Sequence, residues 1–134
     1  MFVLTFGETK GRLFYLAMYL TTIVAASLYT HFKHKSNPYY AALGASGATS
    51  GIVFAFVLFR PWAMLGLFFV IPCPAIIAAV LYLVYSSWAS KNSRDNIGHD
   101  AHFWGAIFGF AFTVLINPPF FSEFVERLVD GLPF

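Results

Sequence analysis

A serine and a histidine are the residues of this sequence best placed to do chemistry. Ser46 lies in the run Gly44-Ala45-Ser46-Gly47, and His102 follows Ala101 near the start of a later apolar segment. A serine hydroxyl becomes a useful nucleophile when an imidazole accepts its proton, and the same imidazole can then protonate a leaving amine. The two residues therefore predict a Ser-His dyad for acyl transfer, with His102 as the general base.

Small residues around the serine suit an oxyanion site. Unpaired backbone amides at the start of a helix can hold an anion, so Gly44, Ser46 and Gly47 are the predicted supports of the active site. The alternative interpretation of the same residues is a helix cap or a small-residue packing position. Ser50, one turn later, is expected to pack or to bond back to a carbonyl.

Two glycine pairs follow the candidate residues at the spacing of one helical face. Gly47 and Gly51 form one G-x-x-x-G pair, and Gly105 and Gly109 form another. Such faces allow membrane helices to approach closely. We therefore expect the helices that carry Ser46 and His102 to touch through these four glycines.

The remaining titratable residues do not complete a triad or a metal site. Asp100 lies two residues before His102, so on a helix it points about 200° away. His99 with His102 and His31 with His34 have H-x-x-H spacing, which suits a metal only when further ligands converge. We expect no metal and no cofactor, and we interpret His31 and His34 as solvated loop residues.

The composition is that of a membrane protein. The chain has 134 residues, of which 59% are hydrophobic and 10% are charged, and its net charge is only +2. These values predict a lipid bilayer as solvent and exclude a nucleic-acid partner. Orientation is undecided because four basic residues fall on each predicted side: Lys10, Arg12, Arg60 and Arg127 against Lys33, Lys35, Lys91 and Arg94.

Hydrophobic stretches predict four crossings and a short tail. The second crossing has about 15 residues, or roughly 22 Å, which is shorter than a hydrocarbon core of about 30 Å. The second and fourth crossings run parallel, so Ser46 and His102 fall on the same side. Residues 1–119 form the predicted transmembrane domain and residues 120–134 an amphipathic interfacial tail. The predicted crossings are 11–29, 45–60, 75–88 and 100–116, with an interfacial segment at 62–71 broken from the third crossing by Pro72 and Pro74.

These residues resemble the motifs of the rhomboid family of intramembrane serine proteases. Gly44-Ala45-Ser46-Gly47 looks like its G-x-S-G motif, and the segment from Ala101 to Gly109 looks like its A-H-x-x-G-x-x-x-G motif. The resemblance extends to Phe6-Gly7-Glu8 and to Pro72-Cys73-Pro74. It implies an all-α membrane protein with a rhomboid-like helical bundle, of which about four transmembrane helices of a six-helix core are present.

The resemblance also implies roles for the site residues and a class of substrate. Ser46 would be the nucleophile and His102 its base, in a water-accessible cavity. The substrate would be a transmembrane segment of another protein that enters past the third crossing, and the loop 89–98 would cap the site. The integral membrane protein would then be a multi-pass serine endopeptidase.

One family motif, H-x-x-x-N, and the family's first helix have no counterpart in the sequence. We therefore expect either a preceding N-terminal segment or a partner to supply them. Two other functions stay open: a truncated, non-proteolytic rhomboid-like protein that binds client helices, and a small channel or transporter fragment. Retention of both Ser46 and His102 argues against the first, and Arg60 alone is too little for the second.

Overall fold

The chain forms an all-α bundle with one small hairpin, as the sequence predicted. The structure is a computed structural model that describes residues 1–37, 44–67, 70–92 and 98–131, without the side chains of residues 44 and 67. The elements of these residues, in chain order, are α1 (Phe2–Phe6), α2 (Glu8–His34), α3 (Gly44–Phe59), β1 (Met64–Leu67), β2 (Ile71–Pro74), α4 (Ala75–Asn92), α5 (His99–Ile116) and α6 (Pro119–Asp130).

A glycine with a positive φ angle lies between α1 and α2 and lets α1 fold back onto α2. Gly7 has φ 81°, a conformation that glycine adopts without the steric cost that a Cβ would bring. Gly11 is buried in the first part of α2, and a Cβ there would lie 2.4 Å from the main chain of Val3. The turn and the close approach together require glycine at both positions.

Helix α2 is longer than the sequence predicted. It continues to His34 rather than ending at Tyr29, so His31 and His34 are helical and the prediction that they lie in a loop was wrong. His31 is exposed, as expected, whereas His34 is half-buried. The last turn of α2 is held by a long-range contact, because Lys33 and His34 bind the Asp100 carboxylate at the start of α5.

Helices α3 and α5 are in main-chain contact. A Cβ added to Gly105 would lie 2.1 Å from the carbonyl oxygen of Gly47, and one added to Gly109 would lie 2.4 Å from Cα of Gly51. The first glycine of the α5 pair meets the first of the α3 pair, and the second meets the second, so the two helices run parallel. The glycine pairs lie along one shared seam.

Helix α2 packs across the back of this seam. A Cβ on Gly47 would lie 2.8 Å from Cβ of Ala26, and one on Gly51 would lie 2.9 Å from Cγ2 of Thr22. Met18 and Thr113 close the same layer, since the Thr113 hydroxyl lies 3.6 Å from the Met18 sulfur and donates to the carbonyl of residue 109 at 2.8 Å. These contacts hold α2, α3 and α5 as a compact three-helix unit.

The tail helix α6 packs onto the base of the bundle. Phe120 is 2% exposed, and its ring meets that of Phe59 edge to face with centroids 4.7 Å apart. Phe124 is buried beside it, and the Trp62 indole donates to the carbonyl of Arg127 at 3.0 Å. Part of the predicted interfacial face is thus covered by protein, whereas three apolar residues of α6 stay exposed: Phe121, Val125 and Val129.

A β-hairpin occupies the segment that was predicted to be irregular. Strands β1 and β2 are antiparallel, with Leu65 opposite Cys73 and Gly66 opposite Pro72. Proline is tolerated here because both strands of a two-stranded sheet are edge strands. The hairpin feeds directly into α4, whose Ala75 amide donates to the carbonyl of residue 63 at 2.8 Å.

Among the described helices, α2 by itself has the length and hydrophobicity of a membrane span. Helices α5 and α6 would meet the same criterion as one broken span, but they are bent by 113°. Helix α3 is apolar and shorter. Helix α4 extends four residues beyond the predicted end at Trp88, to Asn92, so the first part of the predicted cap loop is helical and residues 93–97 lie outside the described part.

Candidate active site

Ser46 lies in the first turn of α3, and its side chain is exposed. The helix begins at Gly44, so Ser46 belongs to the turn at the positive end of the helix dipole. The chain reaches this point from residues outside the described part. Its local geometry therefore combines a nucleophilic hydroxyl with helix-start amides.

His102 lies in the first turn of α5, and Gly98 is the N-cap of this helix. Its amide donates to the carbonyl of Gly98 at 3.1 Å, and its imidazole is half-buried. Helices α3 and α5 are also close together at this turn, because a Cβ added to Gly47 would lie 2.8 Å from the carbonyl oxygen of Ala101. The residue after Ser46 thus touches the residue before His102.

Ser46 and His102 line one cavity between α3, α4, α5 and the hairpin. Its volume is about 710 Å³, which is within the range of ligand-binding cavities in proteins. The polar groups at its wall come from the two candidate residues and from Thr49, Ser50, Tyr82 and Tyr85, and the rest of the wall is apolar: Val53, Phe54, Leu65, Ala75, Ala78, Ala79 and Leu81.

Tyr82 of α4 is a site residue that the sequence reasoning missed. Its ring stacks on the His102 imidazole with centroids 6.3 Å apart and an interplanar angle of 26°. Its hydroxyl lies 2.6 Å from Ser50 Oγ, and Ser50 in turn donates to the carbonyl of Ser46 at 3.3 Å. The back-bond of Ser50 was expected, but no local signal distinguishes Tyr82 from the other aromatic residues of its helix.

His99 lies beside His102 on α5, one turn earlier. The two rings meet edge to face with centroids 6.2 Å apart, and His99 also meets the Tyr85 ring edge to face at 5.6 Å. Aromatic partners therefore surround the H-x-x-H pair. Within the described residues, no three side chains of His, Cys, Asp or Glu are grouped so that they could hold a metal ion.

Asp100 points away from the cavity, into a polar cluster that the sequence did not predict. Its carboxylate binds Lys33 at 2.8 Å and His34 at 2.9 Å, both from the end of α2. The Ser90 hydroxyl of α4 also donates to it. The carboxylate therefore does not contact His102, in line with its direction on the helix, and instead joins the ends of three helices.

The comparisons with known proteins identify a family. The family model of the rhomboid domain matches residues 1–119, which include α1 to α5 and both candidate residues. No curated protein and no solved structure matches the chain significantly. Rhomboid proteins are in general membrane-embedded serine hydrolases. Since the match covers most of its length, the chain belongs to the rhomboid family.

Proposed function

We propose that this protein is an intramembrane serine endopeptidase that hydrolyses peptide bonds in or near transmembrane segments of other proteins. Ser46 is the nucleophile and His102 is the general base. The observation that carries the proposal is the shared cavity wall, where the first turns of two parallel helices bring both side chains to one space. The seam between Gly47 and Gly105 makes that approach close.

The reaction proceeds in two acyl-transfer steps. Ser46 Oγ attacks the substrate carbonyl carbon while His102 takes the hydroxyl proton, and the carbonyl oxygen becomes an oxyanion. Helix-start amides of α3, at Gly44 to Gly47, are the proposed donors to that oxyanion. His102 then gives its proton to the leaving amine as the C–N bond breaks, which leaves an acyl ester on Ser46.

Water completes the cycle. His102 takes a proton from a water molecule that attacks the ester carbonyl, and the Ser46 oxygen leaves and regains the proton. The products are a new carboxylate and a free enzyme. The exposed side chain of Ser46 supports this step, because solvent must reach the acyl ester.

The rhomboid family match and the apolar character of the helices support a membrane arrangement. We infer that α2, α3, α4 and α5 cross the bilayer and that α6 lies at its surface. Helix α3 has 16 residues, or about 24 Å, and is shorter than a hydrocarbon core of about 30 Å. A short helix that starts at Gly44 places Ser46 below one membrane surface, within reach of both water and a transmembrane substrate.

Probe labelling tests the dyad directly. The protein is purified together with a segment that supplies the family's first helix and its H-x-x-x-N motif, reconstituted in lipid bilayers and treated with a fluorophosphonate, and the labelled residue is identified by mass spectrometry. Without that segment we expect weak or no labelling, because loss of an oxyanion donor typically costs about 100-fold or more in rate. We expect label on Ser46, none in Ser46→Ala, and a rate at least 100-fold lower in His102→Ala, because general-base assistance typically contributes about 10²–10⁴-fold. Ser122→Ala, an exposed serine of α6, is the matched control and should label as the parent does.

A cleavage assay tests the reaction itself. A reporter with one transmembrane segment is incubated with the reconstituted protein in ¹⁸O-labelled water, and hydrolysis should place one heavy oxygen in the new carboxylate. Fluorophosphonate labelling of Ser46 that survives His102→Ala would contradict the dyad. A reporter that binds and stays intact, with no label on Ser46, would instead support the client-binding function.

A further inference from the structure

We propose that Asp100 is a positioning residue for His102. It fixes the first turn of α5 by tying it to the ends of α2 and α4, and so sets where the imidazole lies in the cavity. The consequence for hydrolysis rests on the proposed function, but the position of the imidazole can be measured without it.

The contacts of Asp100 are numerous for one side chain. Lys33 Nζ donates to both carboxylate oxygens, at 2.8 and 2.9 Å, and His34 Nε2 lies 2.9 Å from Oδ2. Ser90 also donates to the carboxylate, and Lys33 lies 3.3 Å from the Ser90 hydroxyl. Three helix ends therefore meet at a single carboxylate.

Burial distinguishes this cluster from the surface ion pairs of the chain. The Asp100 side chain is 10% exposed and that of Lys33 is 39% exposed, whereas those of Glu8 and Arg12 are 70% and 73% exposed, so burial in the cluster is that of the carboxylate. Exposed pairs contribute little to stability, but removal of one partner from a buried pair leaves a charge or a polar group unpaired. The cluster is therefore able to hold its three helices in one geometry.

Helix dipoles support the same arrangement. Asp100 is the second residue of α5, where the positive end of the helix favours an anion. Lys33 lies in the last turn of α2, where the negative end of the helix favours a cation, and His34 lies beside it. The contact therefore places an anion at the positive end of α5 and a cation at the negative end of α2, and both helix dipoles favour it.

The start of α5 depends on this contact because the helix has no side-chain cap. Its N-cap is Gly98, which makes no capping bond. Asp100 therefore supplies the side-chain contact that links the first turn to neighbouring helices. A turn that shifts moves His102, two residues later, relative to the Tyr82 ring on which it stacks.

The experiment follows the His102 imidazole by NMR in the intact, reconstituted chain with isotope-labelled histidine. Resonances of His102 are assigned from the spectrum of His102→Gln. Asp100→Asn removes the charge and one acceptor, whereas Asp100→Glu keeps both. The matched control is Glu123→Gln, which breaks the 2.6 Å pair with Arg127 on α6, away from the cavity.

We expect Asp100→Asn to shift or broaden the His102 resonances and to lower the rate of Ser46 labelling roughly 10- to 100-fold, since a displacement near 1 Å can cost about 100-fold. Asp100→Glu should restore at least part of both signals. Glu123→Gln should change neither. If Asp100→Asn does not fold, Ser90→Ala removes one bond to the carboxylate and should shift His102 to a smaller extent.

Each outcome decides the proposal. A His102 spectrum that is unchanged in every folded cluster variant would overturn it, as would an equal change in Glu123→Gln. Resonances that move and labelling that falls would support it in full. If the parent protein shows no label even when the segment with the H-x-x-x-N motif is supplied, the proposed function fails, but a His102 shift confined to the cluster variants would still establish the positioning role.

Discussion

Replacement of Gly105 by alanine should push α3 and α5 apart. The new Cβ would lie 2.1 Å from the carbonyl oxygen and 2.6 Å from the carbonyl carbon of Gly47. Cβ atoms essentially never come within 3.0 Å of such neighbours, so the helices must separate by about 0.9 Å, the difference between 3.0 and 2.1 Å. The atoms in the way belong to the main chain, so no side chain can rotate to relieve the contact.

The sign of the effect follows from two opposing terms. Alanine is favoured over glycine in a helix by about 1 kcal/mol. Overpacking of a close contact costs about 1–3 kcal/mol, and a main-chain clash lies at the upper part of that range. We therefore expect Gly105→Ala to lose roughly 1–2 kcal/mol of unfolding free energy. A shift near 1 Å should also lower Ser46 labelling by about 100-fold.

Gly51→Ala is the matched comparison on the opposite helix. Its Cβ would meet Cγ2 of Thr22 at 2.9 Å and the carbonyl oxygen of Gly105 at 3.0 Å, so adjustments of a few tenths of an ångström suffice. The gain in helix propensity should offset this cost, which leaves stability within about 1 kcal/mol of the parent. Both variants are unfolded by SDS titration in mixed micelles and followed by tryptophan fluorescence.

The critical result is which of the two variants loses more unfolding free energy. A Gly105→Ala protein as stable and as reactive toward the probe as the parent would show that the helices do not touch through their main chains. Loss of stability in Gly51→Ala that equals that in Gly105→Ala would contradict the graded geometry of the seam.

Two further pairs of substitutions test the cavity wall and the tail. Tyr82→Phe removes the hydroxyl that lies 2.6 Å from Ser50 but keeps the ring on His102, so the rate of Ser46 labelling should fall by less than about tenfold. Tyr82→Ala also removes the ring, so it should lower the labelling rate distinctly more. Equal rates in the two variants would show that the stacking has no role. Phe120→Ala should cost about 3–5 kcal/mol of unfolding free energy because this ring is 2% exposed, whereas Phe121→Ala, 49% exposed, should cost under about 1 kcal/mol in the same titration.

Sequence reasoning located the helices because hydrophobic stretches and their charged ends are local features. The predicted fourth crossing began at Asp100 and ended at Ile116, and helix α5 runs from His99 to Ile116. The hairpin was not predicted as strands, because the apolar segment before Pro74 has neither a clear alternation nor a helical period. Its strands form through pairing between two short segments, which no single window contains.

The polar cluster shows the opposite limit. The run His31-Phe32-Lys33-His34 looks like a loop because its charges favour water in the absence of partners. Its partner is Asp100, 67 residues after Lys33, and the pairing requires α2 and α5 to be adjacent first. Contacts of this kind depend on tertiary packing, so the residues can be identified from sequence but their roles cannot.

The walls of the cavity differ in how firmly they are held. Helices α3 and α5 share main-chain contacts at Gly47 and Gly105, whereas α4 presents small buried residues to the bundle, among them Ala75 and Ala79. In lipid, close packing rather than the hydrophobic effect holds helices together, and the glycine contacts of α3 and α5 are of the closest kind. At the other end of α4, Ser90 is bound to Asp100. If a transmembrane substrate enters past α4, the route that the resemblance implies, we expect the main-chain contact between α3 and α5 to stay in place, because it does not involve α4.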